Sequence, residues 1–194
     1  TQQTKCVPYL DIPLQHASGR ILKKMNRTGN DRTLSTQLNH IRQVLPGIAL
    51  RTTFITGFPS ETEEDFRILC EFVKQNRFEN LGVFPYSREE GTKAAAMHRQ
   101  IPENVKRERA DTLMLLQQNL LETISAPRIG TTVKVLYEGE DENGSYGRAF
   151  FQAPDVDGKV YFIPKRWILP GTFVQVCLER YENYDYYGIE RVES

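Results

Sequence analysis

Polar side chains that could bind a ligand stand at the end of an apolar run near the start of the chain. The run from Tyr9 to Leu14 stops abruptly at Gln15 and His16. A buried parallel strand shows this pattern when it delivers functional groups at its carboxyl end. We therefore predict that Gln15 and His16 offer hydrogen bonds to a ligand. A purely structural role for His16, as a hydrogen-bonded loop residue, is the alternative.

Two later stretches, residues 49–59 and 81–87, repeat this strand pattern, and each is followed by a helical pattern. The first part of the chain is therefore predicted to be α/β, with three strand–loop–helix units. Asp11 lies within the first strand, and a buried carboxylate there needs a partner such as Arg51. Phe84 and Tyr86 flank a proline at the end of the third strand, where they could enclose a flat ring or pack in the core.

Apolar residues at helical spacing predict the helices that position these strands. One helix covers residues 33–44, a second begins at Ser60 or Thr62, and a long third runs from Pro102 to about Ile124. The charged residues 106–109 are predicted to lie on the wet face of that third helix. A short helix after a Ser18 cap carries a basic cluster that could contact a phosphate or a carboxylate, or form a solvated face: Arg20, Lys23, Lys24 and Arg27.

The hydrophobic period changes from 3.6 to 2 near residues 127–130, which predicts a second domain. Candidate strands cover residues 131–138, 146–151, 159–163, 172–180 and 184–191, and turn signals such as Asn143-Gly144 separate them. Five short antiparallel strands in so few residues predict a small closed barrel of the OB type. The predicted domains are residues 1–127 and 128–194.

Composition narrows the class of protein. Hydrophobic residues make up 39% of the chain, charged residues make up 26%, and the net charge is zero. This balance is typical of a globular protein, and it argues against strong non-specific binding to nucleic acid. No apolar run approaches the roughly 20 residues of a membrane span. We therefore expect no membrane partner. The isolated cysteines Cys6, Cys70 and Cys177 form no disulfide or metal pattern, so we expect a cytoplasmic location.

The predicted barrel is more acidic than the rest of the chain. From residue 128 onward there are 8 Lys and Arg against 11 Asp and Glu, a net charge of −3, whereas the remainder carries +3. Phosphate contacts dominate nucleic-acid affinity, so an acidic barrel argues against nucleic acid as its main target. A basic protein is the expected partner.

Four stretches of the sequence carry a family resemblance: YLDIPLQHAS, RTTFITGFPSETEEDF, GVFPYSREEGTKAA and APDVDG (residues 9–18, 51–66, 82–95 and 153–158). Together they resemble the C-terminal part of the radical S-adenosylmethionine methylthiotransferases. The GFPSET block is shared with the members that thiomethylate transfer RNA, the MiaB type. The other three blocks are similar to the branch that modifies an aspartate of a small-subunit ribosomal protein.

The resemblance implies a fold and a chemistry. The fold would be the second half of a partial (β/α) radical-SAM barrel, followed by an OB-like β-barrel called a TRAM domain. The reaction would be methylthiolation of an aspartate β-carbon, with S-adenosyl-L-methionine and two 4Fe–4S clusters as cofactors. The family holds these clusters with a CxxxCxxC motif and three further cysteines, which Cys6, Cys70 and Cys177 cannot imitate. We therefore expect a piece of a longer enzyme, inactive alone.

The resemblance also implies cofactor contacts on or beside the three strands, at Gln15, His16, Arg51, Thr53, Ile55, Gly57, Phe84 and Tyr86. The first two would bind the ribose or the amino-acid part. The positions from Thr53 to Gly57 would lie along the adenine, and Phe84 and Tyr86 would flank it. Arg51 would meet either Asp11 or the cofactor carboxylate. No catalytic residue and no metal ligand is predicted within the chain.

Two other functions remain open at this point. A relative of the MiaB type would act on transfer RNA, which a basic barrel surface would favour. Alternatively, the chain could be a binding module that recruits a ribosomal protein, by the acidic TRAM domain, without catalysis.

Overall fold

The computed structural model describes residues 6–192. These residues form two compact units, one from Leu10 to Leu120 and the other from Leu121 onward together with the described residues up to Tyr9. The predicted division into residues 1–127 and 128–194 stays a prediction, and its outermost residues, 1–5 and 193–194, lie outside the described part.

The first unit is built on a three-stranded sheet in the order β1, β2, β3. The strands are β1 (Tyr9–Gln15), β2 (Ala49–Thr56) and β3 (Asn80–Pro85), and β2 and β3 are parallel. The helices are α1 (Gly19–Lys24), α2 (Asp31–Val44), α3 (Glu63–Asn76) and α4 (Glu103–Ser125). The predicted strand–loop–helix units are therefore present.

Side-chain caps fix where two of the helices begin. Asn30 and Thr33 form a capping box at the start of α2, and Thr62 and Asp65 form another at the start of α3. Ser18 precedes α1, but its side chain makes no cap there and donates to Asp65 at 2.6 Å instead. The prediction that Ser18 caps α1 is therefore wrong, because a buried carboxylate competes for the hydroxyl.

One face of the sheet packs on helices to form the core. Leu50 and Phe54 of β2 are completely buried in it, and the ring of Phe54 meets Phe72 and Phe78 edge-on with centroids 6.1 and 6.0 Å apart. Edge-to-face aromatic contacts of this kind add to the stabilisation that burial provides.

Two predictions about charged residues in this unit are wrong. Lys106 and Arg109 of α4 are 2% and 6% exposed rather than solvated, whereas Arg107 and Glu108 are exposed as predicted. Lys106 pairs with Glu103 one turn earlier on α4, and Arg109 pairs with Glu61 outside the helix. Asp11 is exposed rather than buried, because its side chain lies on the face of the sheet opposite to the helical core.

The second unit contains a closed five-stranded barrel, which confirms the predicted architecture. Its strands are β4 (Thr132–Asp141), β5 (Gly144–Arg148), β6 (Val160–Ile163), β7 (Phe173–Glu182) and β8 (Asp185–Arg191), in the order β4-β5-β6-β8-β7. The expectation of purely antiparallel strands is wrong for β6 and β8, which pair in parallel. Strand β5 also lies earlier than the predicted residues 146–151, since it begins at Gly144 and the chain turns after Arg148.

Within residues 6–192, no helix combines the length and the hydropathy that a membrane crossing requires.

Candidate functional site

The alternation of side chains along β2 separates a core face from an open face. Thr52, Phe54 and Thr56 are buried, whereas Arg51, Thr53 and Ile55 are only partly buried. Four of the predicted contact residues share the open face, since the register places Ile55 beside Phe84 of β3. Phe84 is 58% exposed, which leaves one face of its ring available to a flat ligand.

Gly82 leaves a shallow depression in this face because it has no side chain. Gly82 pairs with Thr53, and an added Cβ would meet the Phe84 ring, the Arg51 guanidinium and the Thr53 hydroxyl at 3.5–3.8 Å. A side chain would fit there, but it would fill the depression between these three groups. The open face therefore offers a shallow bed in which an aromatic wall stands beside a hydroxyl and a cation.

The sequence left two possible partners for Arg51, Asp11 and a cofactor carboxylate, and the structure shows the pair with Asp11. The Nη1 of Arg51 donates to the Oδ2 of Asp11 at 3.0 Å, across the neighbouring strands. The Arg51 side chain is 14% exposed and that of Asp11 is 45% exposed, so solvent screens the pair in part. The pair balances the charge of Arg51, and a cofactor carboxylate would have to share that guanidinium.

His16 lies behind the open face, fully buried. Its Nδ1 accepts the backbone N–H of Ser18 at 2.9 Å, so the proton of a neutral ring resides on Nε2. Nε2 faces the Oε2 of Glu61 at 3.5 Å, beyond good hydrogen-bond length. Both ring nitrogens thus face protein atoms, and the predicted contact of His16 with a cofactor stays a prediction.

Gly57 forms the turn after β2, where two constraints demand a glycine. Its φ of +70° is a conformation that residues with a side chain rarely adopt, and an added Cβ would lie 2.2 Å from the Cγ of Lys106. Its N–H donates to the Oε2 of Glu61 at 2.7 Å. Packing against α4 is therefore enough to explain a glycine at this position, with or without a cofactor along the strand.

Glu61 supports the site from within the protein, and sequence reasoning missed it. Its carboxylate, buried completely, accepts the N–H groups of Gly57 and Phe58 and pairs with the Nη1 of Arg109 at 2.9 Å. It therefore joins the end of β1, the turn after β2 and helix α4. The signal was present in the GFPSET block, where a glutamate follows the turn at the distance needed to fold back on its amides.

A cavity of about 550 Å³ opens at the carboxyl ends of the strands. Gln15, Ile55 and Tyr86, one from each predicted site stretch, line it together with residues of α1 and of the loop after β3. The full lining is Gln15, Lys24, Met25, Asn26, Arg27, Ile55, Phe58, Tyr86, Lys93, Ala94 and Met97. Parallel strands place functional groups at this end of a sheet, so the position is that of a ligand site.

Tyr86 forms a wall of this cavity. Its ring meets Phe58 edge-on at 5.3 Å, and the Nζ of Lys106 lies 5.1 Å from the ring centroid. The side chain is 8% exposed, and its buried hydroxyl has no hydrogen-bond partner in the described structure. A buried hydroxyl without a partner costs free energy, so a ligand atom that reached it would gain a hydrogen bond.

The eight predicted residues thus fall into three groups. Arg51, Thr53 and Phe84 lie on the open face away from the cavity, Gln15, Ile55 and Tyr86 line the cavity, and His16 and Gly57 are joined through Glu61. Ile55 belongs to the open face as well. No group of three His, Cys, Asp or Glu side chains in residues 6–192 could hold a metal ion.

The barrel surface carries an aromatic row that crosses three strands. Tyr146, Tyr161 and Tyr187 pair in register, and the last two stack with centroids 5.4 Å apart. Arg180 lies 3.6 Å from the centroid of Tyr187, and Lys159 lies 3.8 Å from that of Tyr146. Because the protein's own cations cover these rings, the row leaves little aromatic surface for stacking bases.

The APDVDG loop presents an acidic tip beside this row. Asp157 holds the loop by accepting the N–H of Ala153 at 2.8 Å, and Gly158 lies where a Cβ would be 1.9 Å from the Tyr184 carbonyl oxygen. Asp155 and Val156 are exposed, Val156 by 61%. The shape of the loop follows from Asp157 and Gly158, whereas the exposed Asp155 and Val156 can contact a partner.

Comparison with known proteins matches both parts of the chain. Residues 129–189 match the TRAM domain family. The chain is 44% identical over 185 residues to "Ribosomal protein uS12 methylthiotransferase RimO" of Clostridium acetobutylicum, covering 95% of this chain and 42% of that protein. The proteins of the same name are 46% identical in Lachnoclostridium phytofermentans, covering 96% and 43%, and 42% identical in Vibrio cholerae, covering 95% and 39%. The chain thus spans about two fifths of the length of these relatives.

Proposed function

Since the chain is similar over nearly its whole length to the C-terminal part of the RimO-type ribosomal protein uS12 methylthiotransferases, we propose that it belongs to an enzyme of that activity. The longer protein would attach a methylthio group to the β-carbon of an aspartate in ribosomal protein uS12. This chain would contribute the second half of the radical-SAM barrel and the TRAM domain. We propose that the longer protein is cytoplasmic, because its proposed substrate is.

The observation that supports this proposal most directly is the open face of the sheet. Thr53, Ile55 and Phe84 lie side by side on it, beside a cavity at the strand ends. A flat apolar wall next to hydrogen-bonding groups suits a nucleoside, which S-adenosylmethionine carries. The cofactor supplies the radical when bound; the chain's own residues would hold its adenosyl part against the sheet.

The iron–sulfur clusters do not fit the residues present in this chain. Fe–S clusters need thiolate ligands, and residues 6–192 contain no group of side chains suited to a metal. The proposal assigns both clusters to the rest of the longer protein, so this chain alone would bind ligands without catalysing the reaction.

The acidic barrel is proposed to dock the ribosomal protein. Ribosomal proteins are basic, and a net charge of −3 from residue 128 onward favours a basic partner. The exposed Asp155 and Val156 offer a charge and an apolar contact on one rigid loop. The covered aromatic row argues against transfer RNA, the substrate of the alternative reading.

The test uses the full-length protein, purified without oxygen and with its clusters reconstituted. We expect it to transfer the methyl label of S-adenosylmethionine to one aspartate-containing peptide of uS12, as mass spectrometry of the digested substrate would reveal. Transfer RNA in the same reaction should remain unlabelled. Label on transfer RNA alone would favour the alternative, and no label on either substrate would refute a methylthiotransferase.

A further inference from the structure

The cavity at the strand ends has a cationic rim that the proposed cofactor contacts do not explain. Lys24, Arg27 and Lys93 line the cavity, and its lining contains no carboxylate. In the described part of the chain, none of these three cations pairs with an acidic side chain, and Arg27 donates to the backbone oxygen of Pro13 at 3.2 Å. The rim therefore keeps three positive charges without a counter-ion.

The basic cluster seen in the sequence is thus divided between two tasks. Arg20 turns away and pairs with the buried Asp65, which neutralises its charge. Lys24 and Arg27 line the cavity, as does Lys93 from the loop after β3. Most other cations around the sheet pair with carboxylates, as Arg51 pairs with Asp11 and Arg109 with Glu61.

The lining suits an anion that is carried on an apolar arm. Like charges gathered at the mouth of a concave, low-dielectric site raise a positive potential there, which favours a negatively charged group. Below the rim, Ile55, Phe58 and Tyr86 form an apolar floor. A short side chain that ends in a carboxylate matches both layers of the cavity.

We propose that this rim, Lys24, Arg27 and Lys93, binds the side-chain carboxylate of the substrate residue. The inference rests on the proposed function and adds a residue-level determinant of substrate choice to it. S-adenosylmethionine is a poorer candidate for the rim, because its ammonium and sulfonium charges outnumber its one carboxylate and the lining holds no carboxylate to balance them. A substrate must lie beside the cofactor, so the two ligands would share the wall formed by Ile55 and Tyr86.

The experiment compares two peptides on the full-length protein carrying its clusters. One is a fluorescent uS12 peptide with the target aspartate, and the other has asparagine at that position. Fluorescence anisotropy gives the Kd of each peptide, and equilibrium dialysis gives the Kd of labelled S-adenosylmethionine.

The variants are the double change Lys24→Gln with Arg27→Gln, and the single change Lys93→Gln. Lys23→Gln is the matched control, because Lys23 lies on the same helix but does not line the cavity.

We expect the double variant to bind the aspartate peptide about tenfold more weakly, as the loss of charge-assisted hydrogen bonds predicts. The asparagine peptide should bind the wild type about as weakly, and the rim changes should not weaken it further. Binding of S-adenosylmethionine and the behaviour of Lys23→Gln should stay unchanged.

Four results would overturn the inference. Equal loss of both peptides would make the rim a general docking surface, and a loss confined to S-adenosylmethionine would assign the rim to the cofactor. If the wild type modifies uS12 but the rim variants bind the aspartate peptide as tightly as the wild type does, the inference about the rim would be refuted and the proposed function would stand. If the wild type bound neither peptide nor S-adenosylmethionine, the proposed function would fail together with the inference.

Discussion

The guanidinium of Arg109 donates from Nη1 to the Oε1 of Glu61 at 2.9 Å, and the two side chains are only 7% and 0% exposed. Burying two charges carries a large desolvation cost, which such a pair offsets only when its remaining hydrogen bonds are satisfied. Glu61 meets this condition through the amides of Gly57 and Phe58. The pair therefore fixes the turn after β2 against helix α4.

Replacing this carboxylate should destabilise the first unit strongly. Glu61→Gln removes the buried carboxylate that pairs with Arg109 and leaves that guanidinium only the exposed Glu63, so we expect the free energy of unfolding to fall by about 3 kcal/mol. Urea unfolding followed by far-UV circular dichroism, which reports on the helices, measures the change. Glu64→Gln is the control, because the pair of Glu64 with Arg67 is on the surface. Equal losses in both variants would contradict a special role for Glu61.

Gly57 should tolerate no side chain, for reasons of space as well as of backbone conformation. In Gly57→Ala the new Cβ would collide with Lys106, so we expect a loss of at least about 3 kcal/mol in the same unfolding assay. Gly47 has a φ of +81° but nothing within 4 Å of a built Cβ. Gly47→Ala should therefore cost only about 1 kcal/mol, the backbone contribution. Similar losses at the two positions would mean that Lys106 moves aside.

Asp65 should make the first unit sensitive to acid. Burial would raise its pKa, but hydrogen bonds from Arg20, Ser18 and Thr62 outweigh that effect and hold the pKa far below its usual range. The folded state then binds the proton less tightly than the unfolded chain, whose aspartates have a pKa of about 3.9. The stabilisation is fully present above that value and is lost as the pH falls below it.

The measurement for Asp65 is the free energy of unfolding at pH 7 and at pH 3. The wild type should lose more stability on acidification than Asp65→Asn, which has no proton to bind at this position. Glu71→Gln serves as the control, since Glu71 pairs with Lys74 at the surface. An Asp65→Asn variant with the full acid dependence of the wild type would argue against the prediction.

The sequence predicted the elements well because their signals are local. Alternation along β2, the apolar stripe of α3 and the turn signals of the barrel each depend on neighbours within a few residues. The parallel pairing of β6 with β8 was not predicted, because strand order depends on contacts between distant segments. The same limit applies to Ser18, whose partner Asp65 is 47 residues away.

The candidate site was predicted in its strand positions but not in its support. Ile55 and Tyr86 were singled out because strand ends carry function, and both line the cavity. Lys106 and Arg109 were assigned to a wet face because charged residues on a helix usually are solvated. Arg109 is paired with Glu61, which lies outside α4, and no periodicity within that helix encodes this partner. Lys106 is buried although its partner Glu103 is on the same helix, because its stem packs against the turn at Gly57.

The cysteines provide a test of where the clusters are held. Burial raises the pKa of the Cys70 thiol to about 11, so the thiolate that a metal requires is disfavoured there. Cys6 is exposed. In a short iodoacetamide pulse at pH 8 on the native chain, mass spectrometry should find Cys6 alkylated at least tenfold faster than Cys70, because only the thiolate reacts. In urea the two rates should converge, since both thiols then approach a pKa of about 8.5. Native Cys70 reacting as fast as Cys6 would show that its thiol ionises readily, which would reopen a ligand role for it.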